Sequence, residues 1–378
     1  MTINKIDPRL MAVEIFSNAH SQNCILYAND YYQAKIRLHT FKNIKILGEY
    51  PFIRAFAVQT KTPYLLDLAG NSWIDYISSV TTASALMQNA RAKINVDQMH
   101  TKGFFGQGVG VAVIDTGCYP HLDFMLGKKR IHKFVDLIND SQNPYDDNGH
   151  GTFVSGVLAG NGISSGGKYA GVAPACDLVV LKALNNEGQT QAIKVLDAMQ
   201  WVYENRKKYN IRVACMSFGS TPLAKNDPLS LGASSLWDAG IVVVGAVGND
   251  GPTASSVKSP GSCAKIITVG CADTTKKEIE IADFSSRGPI FDIIKPDIVA
   301  PGVNITSLSN DKNLFTKMSG TSVSTPFVAG VSALLLQQNP DLSPNQVKSQ
   351  IMYSADSLPF SPNDCGMGFL NAKTALGF

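Results

Sequence analysis

Five short apolar runs constrain this chain more than any other feature: VGVAVI (109–114), DLVVLKA (177–183), RVACMSF (212–218), IVVVGAV (241–247) and KIITVGC (265–271). They are rich in β-branched residues and show little polar alternation, so each reads as a strand covered on both faces, as in a largely parallel sheet. Helical patterns lie between and after them. AIKVLDAMQWVYENRKK (192–208) carries apolar residues at helical spacing, and SLGASSLWDAG (230–240) ends at Gly240. VSTPFVAGVSALLLQQ (323–338) is a third helix, and a fourth starts with Ser343 as N-cap and Pro344 in the first position. Residues 108–378 therefore predict an α/β unit, a mostly parallel sheet with helices on both faces.

The first 85 residues differ in texture, being rich in Tyr, Lys, Ile and Asn and poor in glycine. NCILYAN, FIRAFAVQT and SWIDYISSV read as strands, YYQAKIRLHTF and TPYLLDLAG as short helices, which together make a small α+β unit. Residues 86–107 read as a polar connector with some helical tendency. Of the 378 residues, Lys and Arg number 33 against 30 Asp and Glu, a net charge of +3. Such a balance supplies no concentrated basic surface for nucleic acid or an anionic membrane. No apolar run approaches the roughly 20 residues that span a bilayer. The seven cysteines include no CxxC pair and cannot all pair within one chain. With a start, MTINKIDPRLMAVEIF, that lacks the features of a signal peptide, they make a cytoplasmic location the expectation.

Candidate chemistry lies in four segments. Asp115 follows VAVI, at the end of a predicted parallel strand where ligands and catalytic groups gather, although an Asp there also serves as a turn or cap residue. His150 stands between glycines in DDNGHGTFVSGVLAG, a frame that leaves space around a ring suited to general-base chemistry. His20, His39, His100, His121 and His132 lack such a setting and read as surface or packing residues. Ser322 opens an apolar helix in MSGTSVSTPFVAGVSALLL. It reads either as an N-cap or as a hydroxyl aimed outward with the helix N-terminus facing developing negative charge. Asn249, in VVVGAVGNDGP, reads as a turn residue or as an amide donor to an oxyanion.

Together these segments resemble the subtilisin-like serine proteases over residues 105–378: VAVIDTG, NGHGTFVSG, AVGNDGP and SGTSVSTPFVAG are similar to the family's aspartate, histidine, oxyanion and serine segments, in the family's order. The resemblance implies Ser322 as nucleophile, His150 as general base, Asp115 as its orienting carboxylate, and Asn249 with the Ser322 N–H as oxyanion donors. It further implies that MSFGS (216–220) pairs with a protein or peptide substrate bound as an extended strand. Ser217, Phe218, Gly219, Ala246 and Gly248 would line the pocket for the side chain before the scissile bond, and their small, apolar character predicts acceptance of a bulky uncharged group.

The first 85 residues resemble the family's ferredoxin-like inhibitory propeptides. That implies an intramolecular inhibitor and folding assistant, released by self-cleavage between about Ser79 and Ala92. Departures from the family pattern include Phe153 where a second His is usual, and Val323, Ser324, Thr325, Pro326 and Phe327 after the serine. Asp123 in PHLDF matches a family calcium ligand, but NGISSGGKYAG differs from the usual calcium loop, so no cofactor is expected to be required and structural calcium stays open. AGNGISSGGKYAGVAP is most similar to the intracellular bacterial branch. Cys118 and Cys215 read as inert buried thiols. The alternative to a self-processing endopeptidase is a catalytically silent scaffold. A lipase or esterase is disfavoured because no GxSxG elbow surrounds Ser322.

Overall fold

The computed structural model describes residues 3–7, 10, 21–79, 90–222, 227–311 and 314–378. It divides into two compact units, Met1–Ala85 and Leu86–Phe378.

The first unit runs β1 (Ser21–Ala28), α1 (Tyr31–Leu38), β2 (Lys45–Tyr50), β3 (Ala55–Lys61), α2 (Thr62–Ala69) and β4 (Ile74–Ser79). Its antiparallel sheet has the order β2-β3-β1-β4, the split-βαβ topology of ferredoxin-like domains. Leu26, Phe56, Val58, Leu65, Leu68 and Trp73 build its own core. Asp30 caps α1 by accepting from the Gln33 N–H, which ends β1 and starts the helix within three residues. The sequence reading missed β2. This is an edge strand with no fully buried side chain and a register shift between Ile46 and Gly48, so neither alternation nor continuous hydrophobicity marks it.

The second unit is built on β5 (Gly110–Asp115), β6 (Ile131–Asp136), β7 (Asp177–Lys182), β8 (Ile211–Met216), β9 (Val242–Ala246), β10 (Ile267–Asp273), β11 (Glu280–Ile281) and β12 (Ile298–Pro301). The sheet order is β11-β10-β9-β8-β5-β7-β6, with β12 also beside β10, and every pairing except β10 with β11 is parallel. All five apolar runs are strands. The chain enters the sheet at β5, places β6 and β7 on one side, and then crosses to build β8, β9 and β10 on the other. The carboxyl end of β5 is thus the point where strand order reverses, the place where open α/β sheets leave a crevice. Strand β6, IHKFVD, escaped the sequence reading because at the sheet edge it carries exposed His132.

Helices α3 (His150–Ala159), α4 (Ala192–Asn205), α5 (Pro228–Asp238), α6 (Thr321–Gln338) and α7 (Pro344–Tyr353) cover the sheet. Nearly every residue of α6 is buried, and it packs against β8, β9, β10, β12 and α3, so its sequence is apolar all round. Ser343 caps α7 as expected, with Gln346 completing a capping box. The stretch read as a connector is part of this unit from Ala90 on: Ile94, Val96 and Met99 are fully buried in its core, and the Ala372 N–H donates to the Ile94 carbonyl at 2.9 Å. Residues 80–89, where most of the expected cleavage segment falls, lie outside the described residues. Among the described residues no helix is long and apolar enough to cross a membrane.

Candidate active site

Asp115 is fully buried at the end of β5, and its Oδ1 accepts from the Thr116 N–H at 2.7 Å and lies 2.8 Å from His150 Nδ1. The carboxylate oxygen cannot donate, so Nδ1 carries the proton and Nε2 is left as the basic nitrogen. Asp115 Oδ2 is buried and has no hydrogen-bond partner among the described residues. The contact needs close approach between α3 and the turn after β5. A Cβ on Gly151 would stand 2.2 Å from the Gly117 carbonyl oxygen, and Gly117 itself has φ of +122°. Burial works against the protonated imidazole. The charge of Asp115, the hydrogen bond to it and the charge of Asp146 outweigh burial, so His150 is held above its ordinary range.

Two further residues, which the sequence reading did not single out, shape this corner. Asp146 Oδ1 accepts from Thr116 Oγ1 at 2.9 Å and from the Gly149 N–H at 2.9 Å, and Oδ2 accepts from the Thr152 N–H at 2.8 Å and Thr152 Oγ1 at 2.6 Å. It therefore ties the turn after β5 to the first turn of α3. Lys182 ends β7 directly beside Asp115 in register and is fully buried. Its Nζ donates to the Thr116 carbonyl at 2.6 Å, the Leu184 carbonyl at 3.0 Å and Asp147 Oδ1 at 2.6 Å. The sequence signals were present, an acidic pair before NGHG and a lysine closing an apolar strand, but neither type reveals its partners.

Ser322 is the second residue of α6 and is partly exposed. Its N–H has no acceptor among the described residues, as expected for a first-turn donor. Asn249, exposed just beyond β9, has its carboxamide oriented by Thr321: the Thr321 N–H and Oγ1 each approach Asn249 Oδ1 at 2.9 Å. A backbone N–H only donates, which fixes Oδ1 as the inward atom and leaves Nδ2 free to donate. The two groups converge on Gly320, where an added Cβ would stand 3.1 Å from Ser322 Oγ and 3.6 Å from Asn249 Nδ2. Among the described residues no hydrogen bond joins Ser322 to His150. Catalytic hydrogen bonds are commonly loose before substrate binds.

The expected pocket residues lie on two neighbouring strand ends. Ser217, Phe218 and Gly219 follow β8, and the chain is tied again at Ser220, which exchanges two backbone hydrogen bonds of 2.9 Å with Ser259. Ala246 closes β9 and Gly248 follows it with φ of +113°. All seven cysteines are free and buried, and burial raises the thiols of Cys118 and Cys215, the latter to about 12, which makes both poor nucleophiles. Asp123 is buried with its oxygens accepting from the Gly162 N–H at 2.9 Å and the Ser164 N–H at 2.8 Å. Calcium needs converging oxygens, whereas this loop presents donors to the carboxylate, so these residues do not fit a calcium ion.

Residues 106–368 match the Subtilase family, peptidase S8. The chain belongs to the subtilase family of serine proteases. It is 40% identical over 297 residues to "Serine protease AprX" of Bacillus subtilis, covering 72% of this chain and 66% of that one. It is 32% identical over 335 residues to "Alkaline protease" of Shouchella clausii, covering 88% of this chain and 82% of the relative. Among solved structures, a cold adapted subtilisin-like serine proteinase superposes with a TM-score of 0.58 at 30% identity, covering 71% of this chain and 88% of the other. The parallel α/β sheet expected from the strand pattern, and the subtilisin-like fold that the resemblance implies, are thus the fold of this chain.

Proposed function

We propose that this subtilase is a serine endopeptidase in which Ser322 attacks a peptide carbonyl and His150 Nε2 takes its proton. Asp115 holds the imidazole tautomer. Asn249 Nδ2 and the Ser322 N–H receive the oxyanion, and His150 then returns the proton to the leaving amine. The observation that carries this reading is the 2.8 Å contact between His150 Nδ1 and Asp115 Oδ1 at the crevice end of β5. The substrate would lie as an extended strand along residues 217–219.

The first unit is, in this reading, an intramolecular inhibitor and folding assistant. Its ferredoxin-like topology and separate core support this. So does the match of 335 residues to the Shouchella clausii alkaline protease, which is longer than the second unit and therefore reaches into the first. Parallel sheets rich in long-range contacts fold slowly, which gives such an assistant a purpose. Seven buried free thiols suit a reducing compartment, and the cytoplasm is the proposed location. The test compares intact masses of the full chain and its Ser322→Ala variant after expression. Loss of the N-terminal segment by a cut between Ser79 and Ala92 in the wild type alone supports a self-processing zymogen, and full-length protein in both contradicts it.

A further inference from the structure

Between the two strand ends that would form the substrate pocket stands a lysine. A Cβ on Gly219 would lie 2.7 Å from Lys258 Cβ and 3.2 Å from its Cγ, and one on Gly248 would lie 2.6 Å from Lys258 Cγ and 3.3 Å from its Cβ. The aliphatic stem of Lys258 therefore fills the room that these glycines leave. Its backbone is fixed as a third wall: the Lys258 N–H donates to the Val247 carbonyl at 2.8 Å, its carbonyl accepts from the Ser262 N–H at 2.8 Å, and the next residue bridges to Ser220. The ammonium pairs with Asp250, next in sequence to Asn249. The Lys258 side chain is 24% exposed and that of Asp250 57%, so the amine is at the rim of the slot, within reach of water.

We propose that Lys258 is a specificity-determining residue that selects an acidic side chain immediately before the scissile bond. The inference rests on Ser322 as nucleophile and on residues 217–219 and 246–248 as the pocket. It replaces the preference for a bulky uncharged group that small walls alone imply, because the space between those walls ends at a cation. An exposed partner such as Asp250 holds the ammonium weakly. A substrate carboxylate entering a slot partly closed to water makes the stronger, charge-assisted hydrogen bond and takes the amine from it.

The test measures kcat/KM for matched peptides that differ only in the residue before the cleaved bond: Glu, Gln, Phe, Leu and Lys. The expected result is Glu above Gln by roughly 10- to 100-fold, the range of one charge-assisted hydrogen bond. Lys258→Met removes that ratio and raises cleavage after Phe and Leu, and Lys258→Glu turns the preference to Lys. Asp250→Asn, at an exposed position, raises the ratio by freeing the amine and serves should a Lys258 variant fail to fold. Faster wild-type cleavage after Phe or Leu than after Glu, with Asp250→Asn leaving the Glu to Gln ratio unchanged, overturns the inference and leaves the Ser322 reading intact. No cleavage of any peptide, together with no covalent labelling of Ser322, removes both.

Discussion

His150 Nδ1 and Asp115 Oδ1 lie 2.8 Å apart, joining the first residue of α3 to the last residue of β5. The pair sits where the parallel sheet reverses its strand order, so the topology opens a crevice at the two residues proposed as base and orienting carboxylate. This relationship has a measurable consequence for pH.

In the proposed mechanism only the neutral imidazole of His150 can accept the Ser322 proton. The charge and hydrogen bond of Asp115, with the charge of Asp146, overcome burial and hold His150 above its ordinary range. The acid limb of kcat/KM should therefore have a midpoint above the unperturbed imidazole value of about 6.5. Asp146→Asn should shift the limb to lower pH in the activity that survives. Stability has the opposite sign. A raised folded midpoint makes the His150 contribution to stability fully present below the unfolded value and lost as pH rises through the folded one. A pH profile of kcat/KM with its limb at or below the ordinary value contradicts this.

Asn249→Leu should lower kcat on the order of 100- to 1000-fold with little change in KM, the magnitude typical of an oxyanion donor. Thr321→Val keeps the N–H that turns the carboxamide but loses two Oγ1 hydrogen bonds, the one to Asn249 Oδ1 at 2.9 Å and the one accepted from the Gly248 N–H at 3.3 Å. Of these only the first orients the carboxamide, and the loss of one such neutral hydrogen bond, about 0.5–1.5 kcal/mol, predicts a smaller fall, roughly 2- to 10-fold in kcat. Steady-state kinetics on one peptide checks both, and equal losses would show that Thr321 does more than orient Asn249.

Gly320 is extended rather than left-handed, so its requirement is for space, not for backbone freedom. A methyl group there would stand 3.1 Å from Ser322 Oγ. Gly320→Ala should cut kcat by at least about tenfold, since misplacement of a reacting group by an ångström can cost on the order of 100-fold, while the thermal midpoint changes little. Stopped or slowed turnover with an unchanged melting curve is the expected pair of measurements.

Lys182→Met should lower stability more than it alters chemistry. It strands two carbonyls and Asp147 that now share the buried ammonium. The predicted cost is roughly 2–4 kcal/mol, below that of a fully buried ion pair because Asp147 keeps contact with water. Denaturant unfolding of the inactive Ser322→Ala background with and without the substitution measures it free of self-digestion.

The central strands were legible because both faces are buried, and the resulting apolar runs need no partner to be recognised. The same logic failed for β2 and β6, whose polar residues belong to sheet edges. Asp115, His150, Asn249 and Ser322 stand out as candidates through the short segments around them, yet the residues that contact them do not. Asp146, Lys182 and Thr321 act through contacts that reach up to 72 positions away. Lys258 was hidden for the same reason. Small residues on two strands suggested an open pocket, and a third segment fills it.

The central claim is that Ser322 is an activated nucleophile. The most direct measurement is the intact mass of the protein after brief exposure to a fluorophosphonate, with peptide mapping of the adduct, for the wild type, His150→Ala and Ser322→Ala. The account predicts one adduct on Ser322 in the wild type, greatly slowed labelling in His150→Ala and none in Ser322→Ala. An unlabelled, folded wild type, or an adduct on another residue that persists in Ser322→Ala, would contradict it.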